Sequence, residues 1–334
     1  MLQTTDADTG YRVLRTGAGI LDCSSRVRLR VTGSMRAKFL QGILTNDTNL
    51  LGPGRGLYAA VLTGKGKMQS DLTVYSVSDW YWIDAEPEVA DSLPALIGRY
   101  TIGTDAVVTN LAATHRTLAV YGPTATRVIT AGLGAPAPAG NLAVMEMDWA
   151  GHRLVVGESG LPGVPGYKIL LPFDAVEKAV DALTAQGAGR VDGAALETIR
   201  IESGIPRFGP DMSDENFPPE ARIESRAISY TKGCYMGQET IARINTYGHV
   251  NRLLVGLLPD TDQPLTAGTR IVSTGSDAKD VGYVTSAAFS PTVGRVIALG
   301  YVHRSLEAPG TVVLLGTEPP VRAVVAALPF AATT

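Results

Sequence analysis

Residues 57–77 of this 334-residue chain read LYAAVLTGKGKMQSDLTVYSV. Two β-prone runs, residues 57–63 and 68–77, are joined across Gly64-Lys65-Gly66. A glycine-bracketed link between two such runs is a strong hairpin signal. A third strand is expected at residues 80–85 because that run has the same character. The stretch therefore predicts neighbouring antiparallel strands in the first half of the chain.

A helical stripe and a repeated motif extend this prediction. Residues 35–44 carry an apolar stripe at helical spacing, and Ser34 can cap that helix. Val31-Thr32-Gly33-Ser34 and Val120-Tyr121-Gly122-Pro123 each close a strand and open a helix. We therefore expect two related strand–helix–strand–strand–helix halves of the split βαβ type. These pseudo-repeats are predicted at about residues 20–112 and 113–248.

The chain changes character after about residue 251. Six short β-prone runs follow, separated by Gly, Pro and Asp. Evenly spaced short strands of this kind are typical of a small β-barrel or sandwich. The predicted fold class is therefore α+β, with two ferredoxin-like units in residues 1–248 and a small β-barrel in residues 249–334.

Charge and composition disfavour several partners. The net charge of −3 gives no overall field that would attract nucleic acid or an anionic membrane. No run approaches the roughly 18 apolar residues that a membrane-spanning helix needs, and the N-terminal residues lack a signal-peptide pattern. The two cysteines, Cys23 and Cys234, lie in unrelated contexts, which disfavours a disulfide framework. We therefore expect a cytoplasmic protein.

One octapeptide is a candidate for chemistry: residues 232–239, KGCYMGQE. Gly233 and Gly237 bracket Cys234, which indicates unusual backbone dihedral angles or close approach to a ligand. Residues 239–243 can form a helical turn, so Cys234 would precede a helix N-terminus and lie two residues from Lys232. Both features lower the pKa of a thiol. The alternative is a tight loop around a small buried cysteine.

Two carboxylates are further candidates. Glu202 is expected to end a helix that Asp192 caps and Gly204 stops. A carboxylate there faces the negative end of the helix dipole, so Glu202 either binds a donor-rich heterocycle such as a pterin or extends into solvent. Asp71 lies beside apolar neighbours in the second hairpin strand. It is an edge residue, a solvent-facing residue or a site group.

Other function classes lack their sequence patterns. The four histidines are scattered without the spacing of a metal site, so no permanent metal is predicted. The hairpin turn is not a P-loop, and the chain has neither a Gly-x-Ser-x-Gly elbow nor a Gly-x-Gly-x-x-Gly fingerprint after a strand. Hydrolase and dinucleotide-binding functions are therefore disfavoured.

The octapeptide, followed by GHVNRLLVG at residues 248–256, resembles the signature of the YgfZ-type folate-binding proteins. Those proteins support assembly or repair of iron–sulfur proteins and are related to the glycine-cleavage aminomethyltransferase, the T-protein. The resemblance covers nearly the whole chain. Further segments in family order are FLQG at 39–42, TND at 45–47, GKGKM at 64–68 and ESGIP at 202–206.

The resemblance implies a ring of two α+β parts and a barrel around a central channel that holds tetrahydrofolate or a derivative. It places Asp71 at the reacting nitrogen region of the folate and Glu202 on the pterin ring. Lys232 and Arg243 are the candidates for the carboxylates of the glutamate tail, since cations suit that group. The other implied folate-binding residues are Asn46, Tyr235 and Gln238.

Two functions follow from this resemblance. The first is a tetrahydrofolate-binding protein that supports iron–sulfur assembly or repair, with Cys234 acting transiently and client or assembly proteins as partners. The alternative is a folate-dependent aminomethyl- or methyltransferase in which Asp71 orients or polarises the reacting nitrogen. The chain carries marks of both branches, Cys234 of one and Asp71 of the other. A folate-binding scaffold without chemistry is a third interpretation.

Overall fold

The computed structural model describes residues 7–274 and 278–330. The chain forms two compact units. Unit 1 contains the residues up to Lys65 together with Gln69–Leu196 and Arg226–Gln238. Unit 2 contains Gly66–Met68, Glu197–Ser225 and the residues from Glu239 onward. The domain boundary expected at residue 248 stays a prediction.

The helices and strands of the described residues have the following bounds. The helices are α1 Ala7–Thr16, α2 Arg36–Gln41, α3 Ser92–Arg99, α4 Ala125–Leu133, α5 Val176–Ala185, α6 Gly193–Glu202, α7 Glu224–Ala227 and α8 Gln238–Tyr247. The first strands are β1 Gly19–Asp22, β2 Val27–Thr32, β3 Arg55–Leu62, β4 Met68–Ser76, β5 Tyr81–Ala85 and β6 Val107–Asn110. They are followed by β7 His115–Tyr121, β8 Val144–Trp149, β9 His152–Glu158, β10 Gly166–Pro172 and β11 Gly189–Arg190. The last strands are β12 Arg252–Pro259, β13 Arg270–Ser273, β14 Asp280–Ser290, β15 Arg295–His303, β16 Val312–Leu315 and β17 Val321–Ala326.

Unit 1 contains two sheets of similar order. One has the order β3-β4-β5-β2-β6, and the other has the order β8-β9-β10-β7-β1-β11. In each sheet, one strand (β2 or β7) precedes a helix and three consecutive strands follow it. The third of these strands pairs with the strand that precedes the helix. The hairpin predicted from residues 57–77 is confirmed, since β3 and β4 are neighbours.

Gly33 and Gly122 show the internal similarity in atomic detail. Gly33 follows β2 with φ +100°, and Gly122 follows β7 with φ +130°. A Cβ on Gly33 would lie 2.2 Å from the carbonyl oxygen of Asp105, and one on Gly122 would lie 2.3 Å from that of Gly17. In both places the residue two positions further on donates its N–H to the same carbonyl. Only glycine tolerates this dihedral angle and this approach, which explains the shared motif.

Between its two helices, the second half of unit 1 has one more strand than was predicted. The additional strand is β8, which reads VMEMDW. It lies at the edge of its sheet and pairs with β9. Met145, Met147 and Trp149 alternate with Glu146 and Asp148 and pack against one core, so the strand has a period of two that the sequence prediction overlooked.

A buried ion cluster joins the two sheets of unit 1. Asp84 on β5 is 1% exposed and accepts from Lys168 Nζ on β10 at 2.5 Å. It also accepts from Arg26 Nη2 at 2.7 Å, and Arg26 pairs with Glu86 as well. Burial opposes ionisation of Asp84, but the charges of Arg26 and Lys168 outweigh it and hold the pKa of Asp84 below its ordinary value.

Unit 2 is built on a closed barrel of order β12-β15-β14-β13-β16-β17. Its interior is apolar, with a core formed by residues such as Val255, Leu257 and Ile271. Asp211 accepts from Arg200 at 2.6 Å and from the hydroxyls of Thr285 and Ser286, so a buried ion pair fixes the segment before the barrel. The predicted α+β class with a C-terminal barrel is confirmed. Along residues 7–274 and 278–330, the helices are all too short or too polar to cross a membrane.

Candidate functional site

The hairpin of unit 1 holds a buried carboxylate, Asp71, against a tyrosine. Asp71 lies on β4 between β3 and β5, and it is 8% exposed. The hydroxyl of Tyr58 on β3 donates to Asp71 Oδ2 at 2.7 Å. The other oxygen, Oδ1, is buried and has no hydrogen-bond partner among the described residues. Asp71 is therefore neither an edge residue nor a solvent-facing one, and it presents an unused acceptor.

Burial changes the proton affinity of this pair. Burial, and then the negative charge of Glu86, raise the pKa of Asp71 to about 6, although the Tyr58 hydrogen bond opposes the shift. Burial and the charge of Asp71 also raise the pKa of Tyr58 well above its ordinary value. Tyr58 is therefore a permanent donor, and Asp71 exchanges its proton close to neutral pH.

Arg226 and Asn46 surround the same tyrosine. The guanidinium carbon of Arg226 lies 5.1 Å from the centroid of the Tyr58 ring, and the Arg226 side chain is exposed. Asn46 Nδ2 donates to the carbonyls of Tyr58 and Arg226 at 2.9 and 3.0 Å. Asn46 thus ties β3 to the segment that carries Arg226. Its predicted contact with folate stays a prediction.

Lys232 is an anchor for the octapeptide. Its ammonium donates to the carbonyls of Gln41, Leu44 and Asn46 at 2.8, 2.7 and 2.9 Å. These carbonyls lie at the end of α2 and just beyond it, where helix carbonyls lack partners within the helix. Burial lowers the pKa of Lys232 to about 8, although the charge of Asp47 opposes the shift. All three N–H groups are directed at backbone, so this geometry favours a structural role for Lys232 over the predicted binding of the folate tail.

In the rest of the octapeptide, Tyr235 is buried and the other residues are exposed or partly buried. Tyr235 is 7% exposed, with its ring centroid 5.2 Å from the Lys232 ammonium. Met236 accepts from the hydroxyl of Tyr100 at 3.4 Å. Cys234 is exposed, so the expectation of a small buried cysteine is wrong. Gly237 has φ +83°, which confirms the unusual backbone inferred for this loop.

The other predicted site residues divide between the units. Gln238 begins α8 and belongs to unit 1, whereas Arg243 lies further along α8, exposed, in unit 2. Glu202 ends α6 in unit 2, as predicted, and Asp192 Oδ1 accepts from the N–H of Ala195 at the start of that helix. Glu202 is 4% exposed and accepts from the hydroxyl of Ser290, so the expectation that it extends into solvent is wrong.

Sequence reasoning missed Tyr58 and Arg226. The hairpin carried the signal for Tyr58, because residues at similar distances from a hairpin turn lie side by side on neighbouring strands. Arg226 gave no local signal, since its place over Tyr58 depends on how Asn46 and Thr45 hold its segment. Thr45 Oγ1 donates to the carbonyl of Ala227 at 2.6 Å. Within the described ranges, no group of three or more His, Cys, Asp and Glu residues is placed to hold a metal ion.

Two family profiles match the chain along most of its length. The GCVT N-terminal domain matches residues 4–232, and the glycine cleavage T-protein C-terminal barrel domain matches residues 252–331. The second range covers β12 to β17, the closed barrel of unit 2. The first range includes Tyr58, Asp71, Glu202 and Lys232.

Three similar proteins are aminomethyltransferases. The chain is 31% identical to an aminomethyltransferase of Frankia alni over 90% of this chain and 82% of that protein. It is 30% identical to one of Mycobacterium tuberculosis strain H37Rv over 87% of this chain and 79% of the relative. The crystal structure of the glycine cleavage system aminomethyltransferase T from Bartonella henselae superposes with a TM-score of 0.90 at 24% identity, covering 99% of this chain and 91% of that one. This chain therefore belongs to the family of the glycine cleavage T-protein.

Proposed function

We propose that this chain binds tetrahydrofolate or a derivative in unit 1, with Asp71 against the nitrogen atoms of the folate. The observation that carries this proposal is the unpartnered Oδ1 of Asp71. A buried acceptor without a donor costs about 1–3 kcal/mol, and a ligand that supplies an N–H recovers it. Reduced folates carry such N–H groups, so the residues present fit this ligand.

Asp71 has two properties that suit one-carbon chemistry. Its pKa of about 6 lets it hold or release a proton near neutral pH, as a general acid or base requires. Its negative charge, held in place by Tyr58, stabilises positive charge that develops beside Oδ1. Tetrahydrofolate, when bound, supplies the nitrogen atoms that take up a one-carbon unit.

Arg226 is our candidate for the glutamate tail of the folate. It is exposed, and its guanidinium lies over Tyr58, whose hydroxyl contacts Asp71. A guanidinium binds a carboxylate through two parallel hydrogen bonds. Lys232, the candidate from the sequence, already directs its donors at three carbonyls.

The first candidate for the function built on this site is folate-dependent aminomethyl or methyl transfer. It is supported by Asp71 and by relatives that are themselves named aminomethyltransferases. The residues of this chain would orient the folate, exclude water from Asp71 and move a proton at Oδ1.

The second candidate is support of iron–sulfur proteins. It is favoured by one structural observation: Lys232 anchors the octapeptide while Cys234 remains exposed, which suits a thiol that acts on a partner. The names of the relatives lend it no support, so it depends on the octapeptide resemblance.

The test of the shared proposal is calorimetric titration with tetrahydrofolate under anaerobic conditions. Binding is expected to weaken at least tenfold in Asp71→Asn and in Arg226→Gln, and to be unchanged in Arg55→Gln, an exposed arginine on β3. Equal binding by wild type and Asp71→Asn would refute the placement. Thermal unfolding of each variant establishes that it is folded.

The two candidate functions are separated by a second experiment. Aminomethyl transfer is measured with purified protein, and iron–sulfur enzyme activity is measured in cells that lack the chain and receive each variant. Transfer predicts that Asp71→Asn abolishes turnover while Cys234→Ala preserves it. Iron–sulfur support predicts that Cys234→Ala abolishes the rescue. Folate binding with neither effect would indicate a scaffold without chemistry.

A further inference from the structure

Unit 1 contains a cavity whose lining includes neither Asp71 nor Tyr58. It has a volume of about 340 Å³ and is lined by residues of both sheets. Its apolar wall is formed by Leu111, Val155 and Leu170. Small-molecule sites in proteins have volumes of about 300–1,000 Å³ and are mostly apolar with a few polar groups, and this cavity meets that description.

Arg30 supplies an uncompensated positive charge at this cavity. Its guanidinium carbon lies 4.9 Å from the centroid of the Trp80 ring, which also lines the cavity. Within the described part of the chain, Arg30 has neither a carboxylate partner nor an acceptor for its side-chain N–H groups. Stacking on an aromatic face leaves the edge of a guanidinium available for a planar anion.

Two of the other charged groups that line the cavity, Glu146 and Arg153, form an ion pair. Glu146 accepts from Arg153 Nη2 at 2.6 Å, from Trp80 Nε1 at 3.3 Å and from Ser78 Oγ at 3.2 Å. These donors neutralise the carboxylate and hold Trp80 in place under Arg30. The exposed Asp79 adds to the field around Arg153. The carboxylates therefore act on Arg153, and among the described residues that line the cavity Arg30 is the guanidinium without an ion-pair partner.

His115 lies beside Arg30 and contributes hydrogen bonding without charge. Burial, and then the positive charges of Arg28 and Arg30, lower the pKa of His115, so it is neutral near pH 7. Arg28 is buried and directs its donors at backbone carbonyls. One available guanidinium and a neutral imidazole balance a single negative charge. This suits a carboxylate better than a doubly charged phosphate.

We propose that this cavity binds a small organic monocarboxylate with an apolar body. The carboxylate accepts from the edge of the Arg30 guanidinium, and the body packs on Leu111, Val155 and Leu170. A paired guanidinium–carboxylate contact gives geometric as well as electrostatic selection. This site is separate from the proposed folate site and does not depend on it.

The test is a calorimetric titration of the full chain with 1-naphthoate, with 1-naphthamide as its neutral counterpart. Naphthoate is expected to bind wild type saturably at one site, at least tenfold more tightly than the amide. Arg30→Gln should weaken naphthoate binding at least tenfold, Arg30→Lys should weaken it less, and Arg55→Gln should leave it unchanged.

Three results would overturn the proposal: no saturable binding at millimolar naphthoate, equal binding of acid and amide, or equal binding by wild type and Arg30→Gln. The comparison of acid with amide uses wild type, so it decides the question even if Arg30→Gln does not fold. Asp71→Asn should bind naphthoate like wild type, which separates this site from the folate site.

Discussion

The Tyr58 hydroxyl contacts one oxygen of Asp71 at 2.7 Å, while the other oxygen of the same carboxylate is buried without a partner among the described residues. The hydrogen bond fixes the carboxylate, and burial raises its pKa to about 6. The pair therefore combines a rigid orientation with an unsatisfied acceptor. This is unfavourable for the folded protein alone and favourable for a ligand that donates.

Asp71→Asn is expected to change how stability depends on pH. The pKa of Asp71 is raised from 3.8 to about 6 by folding, so its contribution to stability is full below about pH 4 and is lost as the pH rises through 6. Asparagine does not ionise and can still accept from Tyr58. We therefore compare the unfolding free energy of the variant with that of wild type at each pH. This difference should shift in favour of the variant by on the order of 1–3 kcal/mol between about pH 4 and about pH 7.

The measurement is urea unfolding of wild type and Asp71→Asn across this pH range. The matched control is Asp181→Asn, an exposed carboxylate on α5, for which the difference from wild type should not vary in the same way. A difference for Asp71→Asn that is constant with pH would contradict a raised pKa at this position.

Tyr58→Phe is expected to raise the pKa of Asp71 further above 6. The variant removes the donor that favours the ionised form and leaves both oxygens of a buried carboxylate without it. Unfolding free energy should fall by about 1–3 kcal/mol at neutral pH. Carbon-13 NMR titration of the Asp71 carboxyl measures the pKa directly. If the double variant Tyr58→Phe/Asp71→Asn shows no coupling between the sites, the hydrogen bond has no energetic role.

Lys232→Met is expected to loosen the octapeptide. The change removes three ammonium–carbonyl hydrogen bonds, and the loss of stability should be on the order of 2–4 kcal/mol. Hydrogen exchange of residues 226–238 should become faster, while that of the α4–α5 helices should not. Lys65→Met, in the exposed hairpin turn, is the control and should cost under about 0.5 kcal/mol. Unchanged exchange in Lys232→Met would show that the loop is held by other contacts.

Local patterns predicted those parts of this molecule that depend on local chemistry. The Gly64-Lys65-Gly66 turn, the Asp192 cap and the glycines after β2 and β7 each act within a few residues, so their motifs were informative. The edge strand β8 also carries a local pattern, the alternation of Met145, Met147 and Trp149 with Glu146 and Asp148, and this pattern was overlooked.

The candidate site was only partly predictable, because its geometry depends on contacts between distant segments. Asp71 and Cys234 were candidates from the residues alone and received their roles from the family resemblance, but their burial and exposure could not be read from their neighbours. Lys232 also shows this dependence: as a cation in a motif it suggested an anion site, yet its ammonium contacts a helix end 191 residues away in sequence, at Gln41. Such a partner is invisible without the fold.

Cys234 and Cys23 are expected to differ strongly in reactivity. Cys234 is exposed, whereas Cys23 is partly buried and its pKa is raised to about 11 by burial, against the opposing charge of Arg26. Iodoacetamide at about pH 8 should alkylate Cys234 rapidly and Cys23 at least a hundredfold more slowly, since the thiolate is the nucleophile. Peptide mass spectrometry over time measures both rates. Equal rates, or loss of the fast phase in Cys23→Ser instead of Cys234→Ser, would contradict this assignment.

Asp84→Ala is expected to be among the most destabilising changes in unit 1. It leaves Arg26 and Lys168 without their shared buried partner, and breaking a buried ion pair from one side costs about 3–5 kcal/mol. Asp260→Ala is a matched control, because Asp260 also lies between two arginines but on the surface, where such pairs contribute about 0–1 kcal/mol. Urea unfolding at about pH 7 compares the two variants. Equal losses would mean that burial of the Asp84 cluster adds nothing to its energetic role, whereas a larger loss for Asp84→Ala would place the junction of the two sheets among the main determinants of unit 1 stability.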